Sequence, residues 1–251
     1  MSYLGDKDFL TEVQKGNVAG HSMVHKFGRN DGVGNSWVHI SLLDVATSFK
    51  TAPAAMRVKA GGNGADTAAG AGAREITIQG IDDSFNEISE AVATAGASAS
   101  SPTTAQFWRV HRAWVSAVGT YAVANTAAVT IEDAGGSGDM IQIGVEEGQT
   151  QYTGWTVPTG KTAYLLSAHV TVDGNKNADV RCFTRDTIDD VSAPMLSKRL
   201  KLYWDGIVGS FDYRPAGPEL SISQKSDIWF EAISSAGAEV SCNFELLVVD
   251  N

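Results

Sequence analysis

Two cysteines, six prolines and 19 basic residues are few for a chain of 251 residues. Each shortage excludes a class of protein. Cys182 and Cys242 cannot staple a domain of this size, and they lack the paired spacing of a zinc site. They fit folding in a reducing compartment. The 19 Lys and Arg stand against 29 Asp and Glu, a formal charge of −10 and an isoelectric point near 4.9. A surface that neutralises many phosphates needs the opposite excess, so the balance argues against nucleic acid and against an anionic membrane as partners. No segment approaches the roughly 18 consecutive apolar residues of a spanning helix. The opening MSYLGDKDFL has no basic stretch followed by an apolar one, so no secretory signal is expected.

Charged residues make up only 19% of the chain and hydrophobic ones 43%, which excludes disorder driven by charge. The length suffices for a full core, as one large β-sandwich or as two smaller domains, without help from disulfides or metal. Glycine is abundant. Its 26 residues are about 10% of the chain against an average of roughly 7%, the mark of turn-rich material.

What fills the sequence is period-2 alternation, in runs bounded by Gly, Pro, Asn or Asp, the pattern of half-buried strands. From Val240 to Val248, the residues Val240, Cys242, Phe244, Leu246 and Val248 alternate with a mostly polar set. From Tyr164 to Val172, one face is read as Tyr164, Leu166, Ala168, Val170 and Val172, with Leu165, Ser167, His169 and Thr171 opposite. Shorter runs lie at Ile76–Ile81, Ile88–Val92, Val129–Ile131, Ile141–Val145, Leu200–Trp204 and Ile228–Ile233. Turn chemistry at Val157-Pro158-Thr159-Gly160 and at Asp82–Asn86 joins neighbouring strands. Helix is scarce: Asp8–Lys15, with Asp6 or Asp8 as N-cap and Gly16 past its end, and Leu42–Phe49. The predicted fold is all-β, an antiparallel β-sandwich or jelly roll with little helix. Residues 1–36, without sustained alternation, are read as an extended N-terminal arm. Residues 37–251 are read as the sandwich, with a division into two β subdomains near 146 left open. Gly61–Gly72 and the stretch around Ser98–Thr104 read as loops of small residues.

Tests for chemistry return little. His21 and His25 lie four apart, as zinc ligands on a helix would, but no Glu follows His21 and Gly20 and Gly28 oppose a helix. His111 and His169 read as solvent or interface positions. There is no Gly-x-Ser-x-Gly elbow and no phosphate loop; Gly28–Gly34 resembles one only in composition. The pairs Asp82-Asp83, Glu146-Glu147 and Asp189-Asp190 point apart in a strand or turn and read as solvated. No catalytic, cofactor or metal residue is therefore assigned, and no enzyme activity is expected. Trp108 and Trp114 are read on one face with Val110 and Arg112. Aromatic rings on the other face of such strands serve an oligomer interface, or else a sugar platform. Cys182 and Cys242 read as small core residues.

Several segments carry a further likeness: DTAAGAGAREITIQGIDDSFNEISEAVATAG, FWRVHRAWVSAVGT, VEEGQTQYTGWTVPTGKTAYLLSAHV, and KSDIWFEAISS with VSCNFELLVVDN. Together they resemble a family of structural proteins of tailed bacteriophages, over most of the chain and including GHSMVHKFGRN. That resemblance implies a β-rich virion protein assembled in many copies in the host cytoplasm, and it carries no active-site residue. The leading expectation is a capsid decoration, or cement, protein that associates with its symmetry mates as a homotrimer and binds the major capsid protein. Its arm would lie across the shell, with Phe27, Arg29, Asn30 and Trp37 as interface residues. The alternatives are a neck or tail fibre or spike that meets host glycan or receptor, and a lectin or glycan-active enzyme on a sandwich scaffold.

Overall fold

The computed structural model describes residues 8–43, 49–61, 64–136, 138–217 and 220–251. One short helix, α1 (Phe9–Gln14), opens the described chain. Its cap is Asp8, whose Oδ2 accepts from the Thr11 N–H at 2.9 Å and from the Thr11 hydroxyl at 2.6 Å. Gly16 ends it in the left-handed region at φ +74°. The second predicted helix, Leu42–Phe49, falls largely on residues 44–48, outside the described residues.

The rest is strand. In chain order these are β1 (His21–Val33), β2 (Val38–His39), β3 (Met56–Lys59), β4 (Ala73–Ile81), β5 (Glu87–Ala93), β6 (Arg109–Val118), β7 (Val129–Asp133) and β8 (Asp139–Ile143). There follow β9 (Trp155–Thr156), β10 (Lys161–Val172), β11 (Ala178–Arg185), β12 (Arg199–Ile207), β13 (Ser210–Tyr213), β14 (Ser221–Ile222), β15 (Asp227–Ile233) and β16 (Ala238–Asp250). They form four antiparallel sheets, two of five strands and two of three.

The larger sheets are built by nested pairing. β1 pairs with β16, β2 with β15, β10 with β13 and β11 with β12. Contacts of β10 with β16 and of β11 with β15 then join these pairs into the orders β1-β16-β10-β13 and β12-β11-β15-β2. The two sheets share one core. Val240, Cys242, Phe244 and Leu246 of β16 and Leu165 and Val170 of β10 pack with Val180 and Cys182 of β11 and Ile228 and Phe230 of β15. The Phe230 and Phe244 rings meet across it with centroids 5.0 Å apart. Both cysteines are free and buried here, and burial pushes their thiols well up, which leaves them unreactive.

A second core, made from Met56, Val58, Ile76, Ile78, Ala113, Ile131 and Ile141 among others, lies between the small sheets β3-β7-β8 and β5-β4-β6. Its residues run from 56 to 152, between β2 and β9. One cut near 146 therefore does not separate the cores, because the first core also draws on Val33 and Ile40, ahead of this stretch. The described part of the small-residue loop, 64–72, is organised by Asp66, fully buried, whose carboxylate accepts from the backbone N–H groups of Ala73, Thr126 and Ala127 at 2.8–2.9 Å. The hairpin at Asp82–Asn86 forms as read: Asp82 Oδ1 accepts from the Ser84 and Asn86 N–H groups, and Phe85 takes φ 63°.

Three readings need correction. Residues 21–33 are no extended arm but a full strand of the first sheet, in register with β16 from His21↔Val249 to Asn30↔Val240. Alternation is hidden in the middle of the strand because the buried positions there are Lys26, Gly28 and Asn30, none of them a large apolar residue, while the apolar Val24 and Val33 that meet the core lie toward its ends. At Gly28 the chain passes so close that a Cβ would sit 2.4 Å from the Ile40 carbonyl oxygen and 2.8 Å from the Thr153 nitrogen. Gly28→Ala is accordingly expected to cost about 2 kcal/mol through displaced backbone, seen as a lower urea midpoint at unchanged slope. Second, a bulge between Leu165 and Ser167 switches the faces of β10, so Ala163 and Leu165 are buried and Leu166 is not. Third, bulges in the β4·β6 ladder break the alternation of FWRVHRAWV, and His111 is buried rather than at a surface.

Candidate interaction surface

Among the described residues no group of three or more His, Cys, Asp or Glu is placed to hold a metal ion. His21 and His25 lie on β1, where residues four apart are about 13 Å distant along the strand, too far to share an ion. His169 is partly exposed, with Nδ1 2.7 Å from Asp212 Oδ1.

The four interface residues read from the sequence do not form one patch. Phe27 and Arg29 are half-buried on β1. The Arg29 guanidinium reaches Asp31 at 2.9 Å and Glu147 at 3.0 Å. Asn30 is buried, donating to the His39 carbonyl at 3.2 Å and accepting from the Gly32 N–H at 2.9 Å, so its side chain is held by its own chain. Trp37 directly precedes β2 of the other large sheet, with the Arg181 guanidinium 3.7 Å from its ring centroid and the Tyr203 ring at 6.2 Å.

Beside Trp37 runs a more coherent surface. Among the described residues β12 has a strand neighbour on one side only, so one row of its backbone groups is unpaired within the sheet. Around it, residues 191–211 carry Val191, Met195, Leu196, Leu200, Tyr203, Val208 and Phe211, large hydrophobic side chains all exposed to solvent. Val208 is 62% exposed and Met195 56%, values at odds with core packing. A run of apolar side chains next to an unpaired edge is a site for strand or side-chain association.

Under this edge lies a polar anchor. Glu231 on β15 is buried, and its carboxylate accepts from Trp229 Nε1 at 2.8 Å, Arg181 Nη2 at 2.7 Å and Lys198 Nζ at 2.9 Å. Burial alone would raise its carboxyl, but the hydrogen bonds from Trp229, Lys198 and Arg181 outweigh it and hold the group below its ordinary value. His39 Nε2 stands 3.7 Å from the same carboxylate. Burial pushes His39 down to about 4 against the pull of Glu231, and Lys198 pushes the same way as burial. The His39 and Phe183 rings stack on Trp229 at 5.9 and 5.7 Å. The anchor thus fixes Arg181, which carries Trp37, and Lys198, which opens β12. Further along, the Tyr203 hydroxyl donates to Asp179 Oδ2 at 3.1 Å, and a hydrogen bond with Asp179 raises the Asp205 carboxyl.

Sequence reasoning missed this surface because Leu200 and Tyr203 look like any alternating strand. Position at a sheet edge depends on long-range pairing, which no local pattern carries.

No family model matches the chain, and no curated protein does. Among solved structures, the chain is similar to one described as the structure of infectious bursal disease virus, Gt strain, at 9% identity and a TM-score of 0.23, covering 92% of this chain and 73% of that one. A likeness that slight establishes no shared fold.

Proposed function

We propose that this chain is a structural protein of a virion, of the tailed-phage kind, which decorates the outer capsid shell by binding the major capsid protein and assembles with copies of itself through the β12–β13 edge. The exposed apolar side chains on and beside β12 carry this reading, since a lone soluble domain gains nothing from keeping Leu200 on the strand and Leu196 and Val208 just outside its ends in water. The nested pairing supports it. For eight of the strands of the two large sheets, pairing of first with last and second with next to last is consistent with a jelly-roll order, an architecture that recurs in viral capsids and also in lectins. The phage-like segments point the same way, and the acidic surface suits a position outside packaged DNA.

The proposed contact is heterologous, edge to a second surface, and three copies close it into a ring. Sedimentation equilibrium is expected to return three times the 26.5 kDa chain mass. A Leu200→Lys, Val208→Lys double variant is expected to sediment as single chains with an unchanged circular dichroism spectrum. A wild-type chain that stays monomeric at the highest accessible concentration would remove the assembly part of the proposal.

A second reading keeps the virion and moves the chain to a neck or tail fibre or spike, where the Trp37 and Tyr203 rings would meet host glycan. Those rings lie together, with Tyr203 48% exposed. Copy number separates the two: on the order of hundreds per particle for a shell decoration, about a dozen or fewer for a tail part.

A further inference from the structure

A cleft of about 270 Å³ opens between β1 and β6, lined in part by His25, Lys26, Glu87, His111, Arg112 and Trp155. Its floor is unusual for what it leaves unanswered. Lys26 is 3% exposed. Its amine donates to one group, the His111 carbonyl oxygen at 2.5 Å, and stands 5.6 Å from the Tyr152 ring centroid; no carboxylate pairs with it among the described residues. A lysine brings three donors. His111 is itself buried, and its Nε2 has no hydrogen-bond partner. Arg112 adds a second cation; its Nη2 donates to the His25 carbonyl at 2.7 Å. Glu87, the one acid of the lining, is exposed at the rim and forms no ion pair among the described residues. Burial lowers the basicity of both Lys26 and His111, and the neighbouring cations add to it: Arg112 for Lys26; Lys26, Arg109 and Arg112 for His111.

A buried amine beside a guanidinium, with an idle imidazole nitrogen, is an expensive arrangement unless negative charge joins it. We infer that this cleft binds a small oxyanion, of the carboxylate or phosphate type, held by Lys26 and Arg112 with His111 Nε2 as a third donor. The hydrogen bond from the Lys26 amine to the His111 carbonyl oxygen holds the amine in place, so the donor is set before the ligand arrives. The reading is independent of the assembly surface, since no residue of the cleft belongs to β12 or β13.

Thermal unfolding of the full chain in sodium phosphate, in sodium acetate and in sodium chloride at matched ionic strength tests it. At least one oxyanion is expected to raise the midpoint by about 4 °C over chloride at ten times its dissociation constant. Phosphate alone acting assigns the phosphate type, acetate alone the carboxylate type, and both acting the chemistry they share. Lys26→Met, which swaps a buried amine for an apolar chain of similar shape and should fold at least as well, is expected to abolish the rise. Arg112→Gln, at a half-exposed position, is expected to weaken it about tenfold. No rise over chloride with either anion, or a rise that persists unchanged in both variants, overturns the proposal. Should Lys26→Met not fold, Arg112→Gln decides alone.

Discussion

Glu231→Gln is expected to remove about 3–5 kcal/mol of folding stability, the range found when one member of a buried charge cluster is lost. The carboxylate collects the Trp229 indole, the Arg181 guanidinium and the Lys198 ammonium within 3.0 Å. An amide of the same shape presents one oxygen for three donors and carries no charge, so two cations lose their counter-ion. The cost exceeds that of a surface pair because Glu231 is only 4% exposed and water cannot replace what is lost. Arg181 holds Trp37 and Lys198 leads into β12, so self-association is expected to weaken as well. Urea unfolding compares the two chains directly. A loss under about 1 kcal/mol, the worth of an exposed pair, would show that the cluster is solvated and does not anchor the edge.

Acid should unfold this protein earlier than its carboxylates alone would. Burial holds His39 at about 4, against an ordinary value of 6.5. Between those two values the unfolded chain binds the proton and the native chain does not, so stability falls as pH falls. The contribution is complete above about 6.5, is lost progressively toward 4, and amounts to about 3 kcal/mol from His39 alone. His111, pushed below its ordinary value by burial and then by Lys26, Arg109 and Arg112, adds a loss of the same sign. Glu231, held below its ordinary value, adds its own loss only when pH falls lower still. Urea midpoints at about pH 7 and about pH 4.5 measure the difference. His39→Gln should flatten the profile over that window. An unchanged steep profile in the variant would place the acid sensitivity elsewhere.

The strands that were legible in sequence are those with one apolar and one polar face. β16 reads cleanly because Val240, Cys242, Phe244, Leu246 and Val248 all enter the core while Ser241, Asn243 and Glu245 do not. β1 was illegible for the opposite reason. At Gly28 its inward side meets the crossing segments at Ile40 and Thr153, and the buried positions on either side are the polar Lys26 and Asn30, so only Val24 and Val33 toward its ends carry an apolar signal. The faces of β10 were misassigned only ahead of a single bulge: Ala168, Val170 and Val172 are buried as read, whereas before the bulge Leu165 is buried and Tyr164 and Leu166 are not. The exposed edge at β12 depends on which strand has no second neighbour among the described residues, which no local pattern carries. Lys26 and His111 meet across 85 residues of sequence, and no spacing rule connects them.

Imaging of the particle with this chain labelled tests the central claim most directly, because it returns location and copy number together. Label is expected on the outer face of the capsid, at the shell's symmetry axes, in clusters of three. Label confined to the neck or tail in about a dozen copies would favour the fibre or spike reading, and purified particles free of the chain would contradict the claim.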